Sequence, residues 1–137
     1  MRIAILYTGI ACGGALGAVA RFAIHQAAIS WFGPHFPWGT LLVNVAGCFL
    51  LGGIMQGSLS FPEWVTPWAK TAIGAGFLGA LTTFSTFGVE TWALIERGEW
   101  RRAGWYVTGS LVLGLIAIFV AGQLVRWLAP PHTSTGL

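Results

Sequence analysis

Charge is what this chain has least of. Only 8% of its 137 residues are Asp, Glu, Lys or Arg, against roughly 25% in ordinary soluble domains, which is too few to clothe a water-soluble globule. The formal net charge of +3 comes from scattered residues at the ends of apolar segments, not from a basic stripe, so nucleic acid is excluded as a partner. Cysteine is almost as sparse. Cys12 and Cys48 fall inside apolar segments without His or carboxylate neighbours at ligand spacing, which makes them small packing residues, not a disulfide or a metal pair. No nucleophile and base are set together and no metal-ligand cluster occurs, so the chain does not read as an enzyme.

What is abundant is apolar surface, at 55% of the residues. Residues 103 to 125 form a 23-residue run with no charged side chain, and about 20 apolar residues cross a bilayer core as a helix. Three further spans fit the pattern, giving helices at about 3–30, 38–58, 67–95 and 103–126. Gly33-Pro34, Pro37, Phe61-Pro62-Glu63, Pro67 and the charged run from Glu96 to Arg102 punctuate the connections. The expectation is an all-α protein: one transmembrane domain over residues 1–137, with four helices in lipid. The first span is longer than the apolar core of a secretory signal and continues past Arg21, so cleavage is not expected.

Orientation is left balanced. With four spans, Arg2, Lys70 and Arg126 share one side of the membrane and Arg97, Arg101 and Arg102 the other, three against three, and the positive-inside bias therefore selects neither direction. The balance arises by chance or because the chain inserts both ways and pairs antiparallel. A short chain favours the second reading, because four helices seldom enclose a solute pathway alone, and twofold homodimers are the commonest oligomers.

Helix faces carry the remaining information. Gly9, Gly13 and Gly17 lie four apart on the first span, a row that lets helix backbones approach closely; Gly53 and Gly57 repeat the device on the second. Arg21 extends the first row to membrane depth, where it must snorkel, find acceptors or face water. On the second span Thr40, Asn44 and Gly47/Cys48 share a face, with Asn44 acting either as interhelical glue or as a solute contact. Tyr106, Ser110 and Gly114 form a matching row on the last span.

The densest local signal is Thr82-Thr83-Phe84-Ser85-Thr86-Phe87, preceded by Gly74, Gly76 and Gly79. Glycine weakens a helix, and unpaired backbone groups in lipid cost several kcal/mol, so a break here points to a protein-lined path. A break between Gly79 and Thr83 would leave carbonyls at the end of one half-helix and amide hydrogens at the start of the next, with Thr82 or Thr83 as the cap. Such ends serve ions in membrane proteins. Phe84 and Phe87 lie on one face, either as packing or as ring edges whose partial positive charge faces an anion. Ser85 and Thr86 add hydroxyls beside them.

In order and spacing, three segments resemble the Fluc (CrcB-type) fluoride channels: Gly13 to Phe22 (GGALGAVARF), Gly39 to Gly47 (GTLLVNVAG) and Gly76 to Phe87 (GFLGALTTFSTF). The resemblance touches all four spans. It implies an antiparallel, dual-topology homodimer in the inner (plasma) membrane of a microbe, with two pores and a structural sodium ion at its centre, passively exporting fluoride to relieve its toxicity. By motif position Gly79 and Thr82 would give backbone carbonyls to sodium, and Asn44, Phe84, Phe87, Tyr106 and Ser110 would line the fluoride path. Arg21 matches the family's first-helix arginine and Glu90 its acidic residue beyond the phenylalanines. Ala80 and Gly114 depart from the pattern, the first without removing a carbonyl, the second removing a hydroxyl some relatives have.

Two other functions compete for the same residues. Proton-coupled export of cations needs a carboxylate within the membrane, and Glu90 is the only candidate inside the spans. A non-transporting scaffold would account for the glycine rows but not for Asn44, Ser110 and two aligned phenylalanines beside a helix break.

Overall fold

The computed structural model describes residues 2–129. Among them every regular element is helical: α1 (Arg2–Phe32), α2 (Trp38–Ser60), α3 (Pro67–Lys70), a π-helical segment (Thr71–Leu78), α4 (Gly79–Leu81), α5 (Phe84–Glu96) and α6 (Trp100–Leu128). α3 to α5 follow one another as a single bent span, so four helical runs are long and apolar enough to cross a membrane.

Local chemistry sets where each run stops. α1 ends at Gly33, whose φ of +78° is open to glycine, and its amide donates to the Ile29 carbonyl at 2.9 Å; Pro34 and Pro37 prevent continuation. α5 ends in the same way at Gly98, φ +75°. There the Gly98 and Glu99 amides return to the Ile95 and Leu94 carbonyls, both at 2.9 Å, closing the two-bond glycine cap that satisfies carbonyls at a helix C-terminus. Beyond it Glu99 pairs with Arg102 and Arg97, and the Arg102 guanidinium holds its carboxyl below the usual range. Pro67 occupies the first turn of α3 behind Thr66, whose hydroxyl caps the Ala69 amide.

Packing between the spans follows small residues. α1 lies against the π-helical segment and α4, where a Cβ on Gly13 would stand 2.6 Å from the Ala72 carbonyl oxygen and one on Gly76 would stand 3.0 Å from that of Ile10. At Gly13 and Gly17 the first glycine row thus meets backbone, while Gly9 meets the Ala72 and Trp68 side chains. On α2 the close approach to α6 belongs to Gly52, whose Cβ would stand 2.9 Å from the Ile118 carbonyl. Gly53 faces open space within the chain and Gly57 makes ordinary contact with Val65 of the following connection, so neither glycine of the Gly53/Gly57 row expected from spacing meets a neighbouring span. Leu41, Leu94, Ala103 and Tyr106 form one buried cluster, and Val43, Leu78 and Leu81 another. Most large apolar side chains remain exposed, Leu115 at 69% and Trp127 at 80% among them, as a chain solvated by lipid requires.

The bend in the third span falls at Thr82 and Thr83, both extended, with φ/ψ of −85°/157° and −154°/123°. The first half-helix ends at Leu81, its last bond running from the Thr82 amide to the Leu78 carbonyl at 3.0 Å, and the second begins at Phe84.

Candidate functional site

A cavity of about 340 Å³ opens beside this bend, between α2, the bent span and α6. Asn44, Gly79, Thr82, Phe84, Phe87 and Ser110 all face it, which brings six residues singled out in the sequence onto one wall system from three different spans.

Asn44 holds the bend open. Its Oδ1 accepts from the Thr83 amide at 2.9 Å and its Nδ2 donates to the Thr83 carbonyl at 3.1 Å. Because a backbone N–H can only donate, the orientation of the Asn44 amide follows from this pairing. One of the two Nδ2 hydrogens is spent on Thr83, and the other has no acceptor among the described residues. Thr83 also caps α5, its Oγ1 accepting from the Thr86 amide at 3.2 Å and donating to Thr86 Oγ1 at 3.0 Å.

These two diversions have a shared consequence. In an unbroken helix the Thr83 amide would close on the Gly79 carbonyl and the Thr86 amide on the Thr82 carbonyl. Instead the first goes to Asn44 and the second to the Thr83 hydroxyl. The carbonyls of Gly79 and Thr82 thereby lose their helical partners. Thr82 turns its own hydroxyl back onto the Leu78 carbonyl at 3.0 Å, and Gly47 makes room for its methyl, since a Cβ there would collide with Thr82 Cγ2.

The opposite wall supplies an unpartnered donor. Ser110 Oγ is the one buried side-chain oxygen or nitrogen without a hydrogen-bond partner among the described residues. A buried hydroxyl left unpaired costs about 1–3 kcal/mol, a cost retained where the group meets something the protein itself lacks. Phe84 and Phe87 stand beside it with ring centroids 5.7 Å apart and tilted by 40°. Phe84 is 82% exposed in the single chain.

Other singled-out residues lie around the cavity without facing it. Tyr106 is fully buried behind Phe87, with ring centroids 5.1 Å apart, and its hydroxyl donates to Glu90 at 2.6 Å. Thr40 donates to the other Glu90 oxygen at 3.0 Å, so both carboxylate oxygens are spent on hydroxyls. Ser85 is exposed, its Oγ 3.3 Å from that of Thr83. Arg21 is half-buried on α1 with no polar partner among the described residues, and it does not line the cavity. Cys48 does line it, packed where a Cβ on Gly114 would stand 3.3 Å from its sulfur. Sequence reasoning missed the depth of Thr83's role, which serves at once as cap and as the partner of Asn44; the signal was the single asparagine of the chain lying at membrane depth.

The model of the family described as CrcB-like protein, Camphor Resistance (CrcB), matches residues 8–123. The chain belongs to the CrcB family. It is 48% identical over 120 residues to a protein of Anaeromyxobacter sp. (strain K) named fluoride-specific ion channel FluC, covering 88% of this chain and 94% of that one. The protein of the same name from Shewanella amazonensis is 48% identical over 124 residues, covering 88% and 94%, and that from Opitutus terrae 45% over 118, covering 84% and 88%. The four apolar spans and this family together make the chain a multi-pass protein of a microbial cell membrane. These relatives are named as channels, a class that transports without catalysing a reaction.

Proposed function

We propose that this CrcB-family protein is a fluoride-selective channel that lets fluoride leave the cell passively, through the cavity beside the Thr82–Thr83 bend. The names of its relatives support fluoride as the ion. The observation that carries the site is the buried, unpartnered Ser110 hydroxyl in the same cavity as an unspent Asn44 N–H. Fluoride is small and strongly hydrated. A path for it must exchange water for close donors, and these two groups are donors without competing acceptors, while the edges of Phe84 and Phe87 favour an anion over a cation. Hydrogen fluoride crosses lipid as a neutral molecule and ionises inside, so a passive anion leak is enough to clear it.

The working unit in this reading is an antiparallel homodimer in which the chain inserts both ways. The even distribution of positive residues supports it, as does the 82% exposure of Phe84, because a ring lining a pore needs a second wall. A structural sodium ion fits the carbonyls of Gly79 and Thr82, hard oxygen donors freed by the diverted amides of Thr83 and Thr86. When bound, the ion contributes a fixed positive charge that holds the bend. Asn44, Ser110, Phe84 and Phe87 do the rest: two donors replace hydration, and two rings narrow the path.

Purified protein in liposomes tests the reading. Fluoride efflux should proceed with the proton gradient collapsed, chloride efflux should be far slower, and organic cations should not move. Efflux that stops when the proton gradient is removed would overturn the passive channel in favour of coupled export.

A further inference from the structure

A second cavity, about 500 Å³, lies at one end of the helices, between the last turns of α2 and α6 and the start of the third span. Its walls are mostly apolar, formed chiefly by Leu51, Met55, Leu59, Ile118 and Phe119, with Gln56, Ser58 and Gln123 as the uncharged polar members. Its rim carries two cations, Lys70 in the first turns of the third span and Arg126 in the last turn of α6. Both stand where spans end, the level at which lipid headgroups lie.

Neither cation has an acidic partner among the described residues. Lys70 Nζ reaches the Ser58 hydroxyl at 3.4 Å, and Arg126 Nε donates to Gln56 Oε1 at 3.1 Å. Those neutral partners are themselves fixed, Ser58 Oγ donating to the Met55 carbonyl at 2.7 Å and Gln56 Nε2 to Ser60 Oγ at 3.1 Å. An ammonium has three donors and a guanidinium five, so most of the donor capacity at the rim is unspent. Glu63, the acidic residue of the neighbouring connection, is exposed and lines no part of the cavity. An aqueous ion mouth would be polar along its length; this one is charged at the rim and mostly apolar elsewhere.

We infer that the groove holds one anionic phospholipid, with its phosphate at Lys70 and Arg126 and an acyl chain along Leu51, Met55, Leu59, Ile118 and Phe119. Charge selects the lipid. A basic pocket between membrane helices attracts acidic headgroups, whereas a zwitterionic headgroup brings its own ammonium charge to face the two cations. The site stands apart from the Asn44–Ser110 cavity, although Leu51 touches both.

Native mass spectrometry of the full-length protein released from vesicles of equal phosphatidylcholine and phosphatidylglycerol tests this. Phosphatidylglycerol should be retained in preference to phosphatidylcholine. Retention should fall about fivefold for Lys70→Gln or Arg126→Gln and about twenty-five-fold for both together. The charge-keeping pair Lys70→Arg and Arg126→Lys should retain the lipid, and Arg101→Gln at the other end of the bundle should change nothing. Equal retention in the double glutamine variant, or equal retention of phosphatidylcholine by the unaltered protein, would overturn the inference. So would stripping of the lipid by excess inorganic phosphate, which would mark an anion site without a chain-binding wall. Efficient disulfide cross-linking between two copies of a Leu59→Cys protein would also overturn it, by placing a second protomer in the groove.

Discussion

Removing the Ser110 hydroxyl should stabilise the protein and slow its transport, an unusual combination of signs. Ser110 Oγ is buried without a partner, and such a group costs about 1–3 kcal/mol. Alanine removes that cost and gains a few tenths of a kcal/mol in helix propensity, so Ser110→Ala should raise unfolding stability by about 1–3 kcal/mol. A hydrogen bond from a neutral donor to an ion contributes about 1.5–3 kcal/mol. Lost from the path, it slows flux about ten- to a hundredfold, at roughly 1.4 kcal/mol per factor of ten. Denaturant unfolding in detergent and fluoride efflux from liposomes, on one preparation, read both quantities, with Ser110→Thr as a control that keeps the hydroxyl. A destabilised Ser110→Ala protein would mean that the hydroxyl is already satisfied within the assembly. Unchanged efflux would mean that it does not touch the ion, and either result refutes the reasoning.

Asn44→Ala strips the buried Thr83 amide of its acceptor and the Thr83 carbonyl of its donor, so stability should fall by about 2–5 kcal/mol; a loss below about 1 kcal/mol in denaturant unfolding would show that the pairing does not hold the bend. At Gly79 an added Cβ makes only an ordinary 3.7 Å contact with the Gly74 carbonyl within the chain, so Gly79→Leu should leave the protomer folded yet reduce fluoride efflux and its dependence on sodium, while Thr82→Ser, which keeps the carbonyl, should retain both. Normal efflux from the Gly79→Leu protein would speak against the carbonyl site. Cysteine labelling of one terminus in intact cells should find the chain in both orientations, and a single orientation would exclude the antiparallel dimer.

The spans were legible because hydropathy is a local property: an uncharged run such as residues 103 to 125 has few structures open to it in lipid. The bend was legible in outline from Gly74, Gly76, Gly79 and the threonine pair, since weak helix formers followed by a capping residue mark a stop and a restart. Its detail was not. That Thr83 rather than Thr82 caps α5, and that Asn44 takes its amide, depends on how α2 packs across the third span, a contact between residues 39 positions apart. The same holds for the π-helical turns at Thr71–Leu78, which lie where α1 presses its glycines onto the backbone, and for Gly52 standing in for Gly53, since spacing alone does not fix which residue of a helix meets its neighbour. Tyr106 and Ser110 share a face in sequence, yet the larger side chain turns to Glu90 and only the smaller reaches the cavity.

Replacing Phe84 and Phe87 together by isoleucine tests the central claim most directly, because it keeps apolar bulk at the cavity and removes the ring edges. Dimer yield and fluoride efflux should be measured on the same preparation. The cavity as a fluoride path requires that efflux collapse while dimers still assemble. Assembled dimers of the double variant that pass fluoride at the rate of the unaltered protein would contradict it.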